Sequence, residues 1–363
     1  MPQALTIKKI DGKPGQVYYP LQLNQIPKPT PGPKELLIRI HAAALNHRDV
    51  FIRQALYPGI SFTSPLLADG FGSVVEAPSS PSLIGKHVIL TPERGWASSP
   101  DGPEGNEFSV IGGSALHPVG TGQDYVVVPE DEVELAPPHL TAHEAAALPL
   151  VGLTAWRALI TKGLNGDAAS AAGKNILVTG IGGGVALAAL QFGVALGCKV
   201  YVTSSSSAKI ESAKALGAAG GVSYKEAGWE KQLLAQLPSS RPYLDAVIDG
   251  AGGDIVSKTV KLLRPGGVIS VYGMTVGPKM DWTMQAVMKN IDLRGTTMGS
   301  RVEFRDMVAF VREHKIRPVV SRVVKGLDIE AIDGLFDDMR NGKQFGKLVI
   351  EISSPGDEAE AKL

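Results

Sequence analysis

The middle of the chain alternates between short apolar runs and segments of helical composition. The apolar runs are rich in β-branched residues and do not alternate with polar ones, which is typical of parallel strands buried on both faces. These runs lie at residues 175–179, 199–203, 221–224, 244–253, 267–273 and 292–298. Helices are predicted between them, at about 185–196, 207–216, 228–237, 254–263 and 282–290. The alternation predicts an α/β fold with a doubly wound parallel sheet, in which ligands bind at the carboxyl ends of the strands.

The first 150 residues follow a different pattern, with proline and glycine recurring every few residues. Their apolar runs are short and lie at 36–45, 71–77, 86–91 and 124–130. Frequent turns between short strands predict an irregular β-rich domain or partial barrel. After Arg301 the pattern predicts a helix to His314, a strand in PVVSRVV, a helix from Ile329 to Asn341 and a final strand in KLVIEI. These last elements are expected to return to the β-rich domain and close it.

A helical connector is predicted to begin at Thr141. Glu144 follows Thr141 by three residues, which is typical of a capping box at a helix N terminus. We therefore predict two domains, a β-rich one from residues 1–150 together with 300–363 and a parallel α/β one from residues 151–299. The charged tail after Ser353 is expected to be frayed.

A glycine-rich turn follows the first strand of the α/β domain. Its spacing is Gly180-x-x-Gly183-x-x-Ala186, Gly184 belongs to the same turn, and the predicted helix begins at Val185. Glycine lets the backbone turn tightly and approach a ligand without steric conflict at Cβ. The helix N terminus offers unpaired N–H groups and the positive end of the helix dipole, which suit a pyrophosphate. A strand, this turn, a helix and a second strand together predict a dinucleotide site.

The end of the second strand indicates which dinucleotide is bound. NAD enzymes usually place a carboxylate there, which binds both ribose hydroxyls. This chain instead has the hydroxyls of Thr203, Ser204 and Ser205, followed by the positive charge of Lys209. Because these groups suit a 2′-phosphate, we predict NADP(H). A solvated serine-rich loop is the alternative explanation of the segment, and it is compatible with either cofactor.

Composition limits the possible functions. The 363 residues are enough for two domains, and the 36 basic and 36 acidic residues balance, so nothing favours nucleic acid or an anionic membrane. The N terminus lacks a long apolar segment. The one cysteine, Cys198, excludes an intramolecular disulfide and any multi-cysteine metal site. A cytoplasmic protein is expected.

The order of several motifs resembles the medium-chain dehydrogenase/reductase superfamily, and most closely its zinc-free quinone oxidoreductase and enoyl reductase branch. The motifs are LNHRD at 45–49, LPLVGLTAWRAL at 148–159, the glycine turn, LRPGGVISVYG at 263–273 and FGKLVIEI at 345–352. The resemblance implies a GroES-like catalytic domain formed by both ends of the chain and a Rossmann domain between them. It also implies that Tyr224 and Lys347 contact the cofactor. Gly250 and Ala251 end the fourth strand, where a backbone without bulky side chains would let the nicotinamide ribose lie close.

The zinc-dependent members differ from this chain at their metal ligands. Asn46 stands where they have the first cysteine, ADG at 68–70 replaces Gly-His-Glu, and the third ligand falls at about Leu150 or Val151. Only Asp49 and Asp69 remain as donors, fewer than the roughly three protein ligands that catalytic zinc needs. The four-cysteine structural zinc lobe is also missing. No metal is predicted, and Asp69 is expected either to be buried and paired or to cap a turn.

Without a Lewis acid, reduction of a conjugated carbonyl or quinone is favoured over oxidation of a simple alcohol. Asn46 is expected to donate to the developing oxyanion, by resemblance to the zinc-free branch, and loop capping is its alternative role. Tyr57 is a candidate proton donor or pocket wall, and equally a packing residue. Asp49 is expected to orient neighbouring groups through a salt bridge with Arg48 or Arg53, with a surface charge as its alternative.

We therefore predict an NADPH-dependent, zinc-independent oxidoreductase that transfers hydride to a quinone or an α,β-unsaturated carbonyl. The alternatives are a trans-acting enoyl reductase of a synthase pathway, a zinc-free alcohol or aldehyde oxidoreductase, and a non-enzymatic NADPH-binding protein. The long segment 92–114 is predicted to be a lid or pocket wall, or a disordered insertion. The strand in DLRGTTM is expected to pair across a two-fold axis and form a homodimer.

Overall fold

The computed structural model describes residues 1–354 and contains two compact units. The first unit consists of Met1–Leu150 and the segment from Ser300 onward, and the second of Val151–Gly299. From residue 355 onward, the tail that was predicted to be frayed lies outside the described residues. Within residues 1–354, no helix combines the length and the apolar character needed to cross a bilayer.

The first unit begins with a β-rich stretch. Its elements are β1 (Gln3–Ile7), β2 (Leu21–Gln25), β3 (Glu35–Ala44), α1 (His47–Arg53), β4 (Asp69–Glu76), β5 (His87–Leu90), β6 (Glu93–Arg94), β7 (Ser109–Val110), β8 (Tyr125–Pro129), β9 (Val133–Leu135) and α2 (Ala142–Ala146). The predicted capping box at the start of α2 is confirmed, because Thr141 Oγ1 accepts from the N–H of Glu144 and the Glu144 carboxylate accepts from the N–H of Thr141.

The middle of the chain forms the second unit, with the predicted alternation of strands and helices. The elements are α3 (Pro149–Trp156), a π-helical turn (Arg157–Gly163), β10 (Asn175–Val178), α4 (Gly184–Ala195), β11 (Lys199–Ser204), α5 (Ser207–Ala215), β12 (Gly220–Ser223), α6 (Trp229–Gln236), β13 (Leu244–Asp249), β14 (Gly252–Gly253), α7 (Ile255–Thr259), β15 (Leu263–Val271), β16 (Gly277–Met280), α8 (Met284–Met288) and β17 (Asp292–Gly295).

One six-stranded sheet organises this second unit. Its order is β12-β11-β10-β13-β15-β17, and every pairing in it is parallel. The strand order reverses at β10, because the chain moves outward on one side through β11 and then returns to β13 on the other. This reversal places the end of β10 at a topological switch point, where open α/β sheets bind their ligands. The predicted doubly wound parallel sheet is confirmed.

The last elements of the chain complete the sheet of the first unit. They are α9 (Arg301–His314), β18 (Val320–Lys325), α10 (Ile329–Arg340) and β19 (Lys347–Glu351). The sheet has the order β18-β19-β3-β4-β5-β9, and β8 also pairs with β3. Because β19 lies antiparallel to β3, the two ends of the chain share one sheet, which agrees with the prediction that the closing segment returns to the β-rich domain.

The long segment 92–114 is a folded hairpin, not a disordered insertion. Strands β6 and β7 pair at its base, and the Trp96 indole, 3% exposed, packs edge-on against Phe108 with 5.7 Å between ring centroids. The Glu104 carboxylate accepts from the backbone N–H groups of residues 97, 98 and 99 at 2.7 to 2.8 Å. Those hydrogen bonds, led by that from Ser98, lower the pKa of Glu104 to about 2. A role as a lid stays a prediction.

Candidate functional site

Three polar side chains from distant parts of the chain meet inside the first unit. Asn46 precedes α1, Asp69 begins β4 and Lys347 begins β19, and their exposed fractions are 5%, 0% and 4%. The sheet register brings them together, since Ala44 in β3 pairs with both Asp69 and Val349 of β19.

These three side chains form a closed hydrogen-bonded cluster. Lys347 Nζ donates to Asp69 Oδ2 at 2.6 Å and to Asn46 Oδ1 at 2.7 Å. Asn46 Nδ2 donates to the same Asp69 oxygen at 2.9 Å. The second oxygen of Asp69 accepts from the backbone N–H of Leu150 at 2.7 Å. Of the two expectations for Asp69, the structure therefore shows the buried, paired carboxylate.

Asp49 is a second buried carboxylate beside this cluster. It is 0% exposed, and its Oδ2 accepts from the backbone N–H of Asn46 at 2.7 Å. Its Oδ1 lies 3.4 Å from Nη1 of Arg48, so the predicted salt bridge is made with that arginine, whereas Arg53 pairs with another carboxylate. Burial raises the pKa of Asp49 to about 6, although the charges of Arg48 and Lys347 act to lower it.

Tyr57 is partly buried and packs against the core of the first unit. The guanidinium carbon of Arg48 lies 4.5 Å from the centroid of its ring, within the range of a cation–π contact. Arg48 is itself fixed, because Nη1 donates to the carbonyl oxygens of Ile111 and Gly112 at 2.9 Å. A packing role for Tyr57 is thus visible, and its role as a proton donor stays a prediction.

The cluster does not fit a catalytic zinc ion. Such an ion needs about three protein donors in tetrahedral reach. The oxygens of Asp69 and Asn46 both face the Lys347 ammonium, so a metal ion would have to displace that ammonium or lie against a like charge. Residues 1–354 contain no group of three or more His, Cys, Asp or Glu side chains that could hold a metal.

The glycine turn of the second unit lies between β10 and α4 and fits a pyrophosphate. Gly180 and Gly182 have φ values of +63° and +132°, which favour glycine, and Thr203 Oγ1 accepts from the N–H of Gly180 at 3.2 Å. Gly183 is the N-cap of α4. A Cβ added at Gly180 or Gly183 would meet no atom within 4 Å, so the face of the turn is open. An open face at a helix N terminus is an arrangement that suits an anion.

Of the residues predicted to select the 2′-phosphate, Thr203 and Lys209 lie against this turn. Lys209 crosses it, because a Cβ added at Gly182 would lie 3.2 Å from Lys209 Nζ, and burial lowers the pKa of this lysine. Ser204 accepts through its carbonyl oxygen from the N–H of Tyr224 at 3.1 Å. Tyr224 is 48% exposed and Ser205 is also exposed, so both side chains are accessible to a ligand.

The loop after β13 is held by residues that the sequence did not predict. Asp249, 0% exposed, accepts from Thr179 Oγ1 at 2.5 Å and from the N–H of Ala251 at 3.3 Å. Burial raises the pKa of Asp249. A Cβ added at Gly250 would lie 2.5 Å from the ring of Tyr272, so glycine is required there for packing. Thr179 and Asp249 stand at the ends of two neighbouring parallel strands, β10 and β13. This shared position is the sequence feature that could have predicted their contact.

Two family models match the chain in succession. The family described as alcohol dehydrogenase GroES-like domain matches residues 32–138, and the one described as zinc-binding dehydrogenase matches residues 184–313. The first match lies in the β-rich unit, whereas the second covers most of the parallel α/β unit and continues into α9 of the first unit.

Individual proteins are similar over nearly the full length. A protein of Leptosphaeria maculans named zinc-type alcohol dehydrogenase-like protein YogA is 61% identical over 362 residues, covering 97% of this chain and all of that protein. The mitochondrial NAD(P)H oxidoreductase RTN4IP1 of Bos taurus is 26% identical over 353 residues, covering 88% of this chain and 82% of that protein. A crystal structure of an NAD-dependent alcohol dehydrogenase has a TM-score of 0.83 at 29% identity, covering 97% of this chain and all of that one.

Proposed function

Because the chain belongs to the medium-chain dehydrogenase/reductase superfamily of nicotinamide-dependent oxidoreductases, we propose that it reduces a quinone or an α,β-unsaturated carbonyl with NADPH and without zinc. The observation that carries this proposal is the Lys347 ammonium bound between Asp69 and Asn46. It supports zinc independence, because it places a fixed positive charge among the donors that remain at the expected metal position. The word zinc in the name of the Leptosphaeria maculans protein applies to that protein and is not evidence of a metal in this chain.

The proposed chemistry needs a donor for the substrate oxygen. A bound nicotinamide would supply hydride for the electron-poor carbon of the substrate, and negative charge would develop on the conjugated oxygen. Asn46 is the proposed donor to this oxygen, since an amide N–H stabilises an oxyanion without itself giving up a proton. Water or a weak acid supplies the proton that completes the reduction.

The proposed cofactor contacts all lie in the second unit, apart from Lys347. Gly183, Gly184 and Val185 would hold the pyrophosphate at the start of α4, and the segment from Thr203 to Lys209 would hold the 2′-phosphate. Gly250 and Ala251 would allow the nicotinamide ribose to approach the backbone. The proposed cofactor contact of Lys347 would be additional to its bonds to Asp69 and Asn46.

The proposal is tested by following NADPH oxidation with a panel of quinones, alkenals and one simple aldehyde, with NADH and a metal chelator as parallel controls. We expect turnover of a quinone or an alkenal, faster with NADPH than with NADH and unchanged by the chelator. Loss of activity with the chelator would refute zinc independence. Tight NADPH binding without turnover of any panel member would refute the proposed activity.

Lys209→Ala is expected to weaken NADPH binding about 10- to 100-fold, because a hydrogen bond to a charged group contributes roughly 1.5–3 kcal/mol. NADH binding should change little, since NADH has no 2′-phosphate. Calorimetric titration with each nucleotide measures both constants. The matched control is Lys214→Ala, which removes an exposed lysine of the same helix that pairs with Glu211. Equal weakening of both nucleotides would instead place Lys209 on the pyrophosphate.

We also propose a homodimer formed through the edge strand β17. Exposed apolar side chains concentrate between residues 274 and 293, and their exposed fractions run from 42% to 76%: Met274, Val276, Trp282, Met284, Val287, Met288 and Leu293. Apolar surface of this kind beside a free strand edge favours association across a two-fold axis.

Light scattering should give a molar mass of twice the 38.2 kDa chain mass, and Met288→Glu should lower the measured mass towards that of one chain. A monomeric wild type at micromolar concentration would contradict the proposal.

A further inference from the structure

The amide of Asn46 is held in one orientation by two charged groups of opposite sign. An ammonium can only donate hydrogen bonds and an ionised carboxylate can only accept them. Asn46 therefore makes both of its bonds in the cluster only when Oδ1 faces Lys347 and Nδ2 faces Asp69. In the reversed orientation, the amide nitrogen would face the ammonium and the amide oxygen would face the carboxylate. The arrangement commits one N–H of Nδ2 to Asp69, and the other N–H takes no part in the cluster.

The charges around this amide are balanced. Two carboxylates, Asp49 and Asp69, are 0% exposed, and two cations, Lys347 and Arg48, lie beside them with exposed fractions of 4% and 8%. Lys347 contacts Asp69 directly and also acts to lower the pKa of Asp49, so its charge reaches both carboxylates. Without it, a developing oxyanion at Asn46 would meet two buried negative charges and a single compensating arginine.

We propose that Lys347, together with Asp69, is a positioning residue for Asn46: the pair fixes the amide so that its second N–H is presented to the substrate oxygen, and Lys347 balances the buried carboxylates. This inference rests on the proposed function, because it assigns the pair a task in that reaction. It is distinct from a metal site, since the fixed positive charge is part of the chain itself.

If the ion pair between Lys347 and Asp69 had only a structural role, it would still hold β19 against β4. Its removal would then have different effects. Loss of a structural pair lowers the unfolding temperature and leaves the kinetics of the folded enzyme unchanged. Loss of a positioning pair lowers kcat in molecules that remain folded, with little change in the KM of the substrate.

The test uses variants that keep the buried charges balanced. Lys347→Met alone leaves Asp69 buried without its counter-charge, which is expected to be destabilising, so the decisive variant is the double substitution Asp69→Asn with Lys347→Met. We expect this double variant to fold and to lose about 10- to 100-fold in kcat, because a small misplacement of a catalytic group costs up to that amount. Substrate KM should stay within about threefold. Because Lys347 is also a proposed cofactor contact, kcat is measured at saturating NADPH, so that weaker cofactor binding does not enter the comparison.

Two further variants sharpen the comparison. Lys347→Arg keeps a positive group that only donates hydrogen bonds, so it should retain more kcat than the double variant. Lys325→Met is the matched control, because it removes a lysine from the neighbouring strand β18. The Lys325 side chain is 83% exposed, and its Nζ lies 3.9 Å from Oε1 of Glu351. An unchanged kcat in the folded double variant would overturn the proposal.

A measurement without turnover separates this inference from the proposed function. The side-chain amide signals of Asn46 in a ¹⁵N-correlated NMR spectrum can be assigned by their loss in Asn46→Asp. In the wild type we expect two well-separated proton shifts, since one N–H binds a carboxylate, and a changed separation in the double variant. Identical signals in both proteins would overturn the orienting role. If these signals change but the wild type reduces no panel substrate, the proposed function fails and the orienting role stands.

Discussion

Asn46→Ala is expected to lower kcat about 100-fold, because removing one preorganised donor to a developing oxyanion costs roughly 2.7–4 kcal/mol of transition-state stabilisation. Substrate KM should change much less, since the donor interacts most strongly with the charged oxygen of the transition state. Steady-state kinetics with the best quinone or alkenal of the panel measures both constants. NADPH binding by calorimetry should match the wild type.

The fold should survive this substitution, because Lys347 and Asp69 remain paired at 2.6 Å and no charge is left unbalanced. Asn341→Ala serves as the matched control: it removes an exposed asparagine whose amide donates to a backbone carbonyl at the end of α10. A wild-type kcat in folded Asn46→Ala would show that Asn46 is not the oxyanion donor.

The parallel sheet was predictable because its strands are buried on both faces. Such strands read as continuous apolar runs, and five of the six predicted runs lie within a few residues of the observed bounds of β10, β11, β12, β15 and β17. The predicted run 244–253 is too long, since β13 ends at Asp249. There the Asp249 carboxylate binds N–H groups of the following loop, and Gly252 adopts φ +74°. Hydrogen bonding by one side chain thus ended a strand that hydrophobicity alone would extend.

The short strands of the first unit were less predictable. Strands β1 and β2 pair with each other, but β2 has the sequence LQLNQ, which is polar and mostly not buried. Strands β6 and β7 have two residues each and depend on the hairpin of the 92–114 segment. Runs of this length carry little periodic signal, so their structure is decided by tertiary contacts.

The family resemblance identified Asn46 and Lys347 as site residues. It did not predict that Lys347 pairs with Asp69. Lys347 and Asp69 are 278 positions apart, and no local pattern connects them. A signal was nevertheless present: each charge interrupts an apolar run, in PLLADGFG for Asp69 and in FGKLVIEI for Lys347. Charged side chains are almost never fully buried unless they are paired, so two opposite charges in two core strands predict one another.

Gly183→Asp is expected to weaken NADPH binding at least about 100-fold while leaving the protein as stable as the wild type, because like charges held together in a binding site cost several kcal/mol. Gly183 has φ −77° and ψ 152°, an extended N-cap conformation that aspartate prefers, and a Cβ there would meet no atom within 4 Å. The new carboxylate can cap α4, and it then occupies the surface that the pyrophosphate needs. Calorimetric titration with NADPH and thermal unfolding without cofactor measure the two effects separately.

Two further substitutions separate charge from space at this position. Gly183→Asn adds a neutral N-cap side chain of nearly the same size, so the difference between the asparagine and aspartate variants reports electrostatic repulsion alone. Gly102→Asp adds the same charge where a Cβ also meets no atom within 4 Å, in the hairpin of the first unit, and should leave NADPH binding unchanged. If Gly183→Asp binds NADPH as tightly as the wild type, the start of α4 does not hold the pyrophosphate. If both Gly183 variants lose affinity equally, steric exclusion accounts for the whole effect.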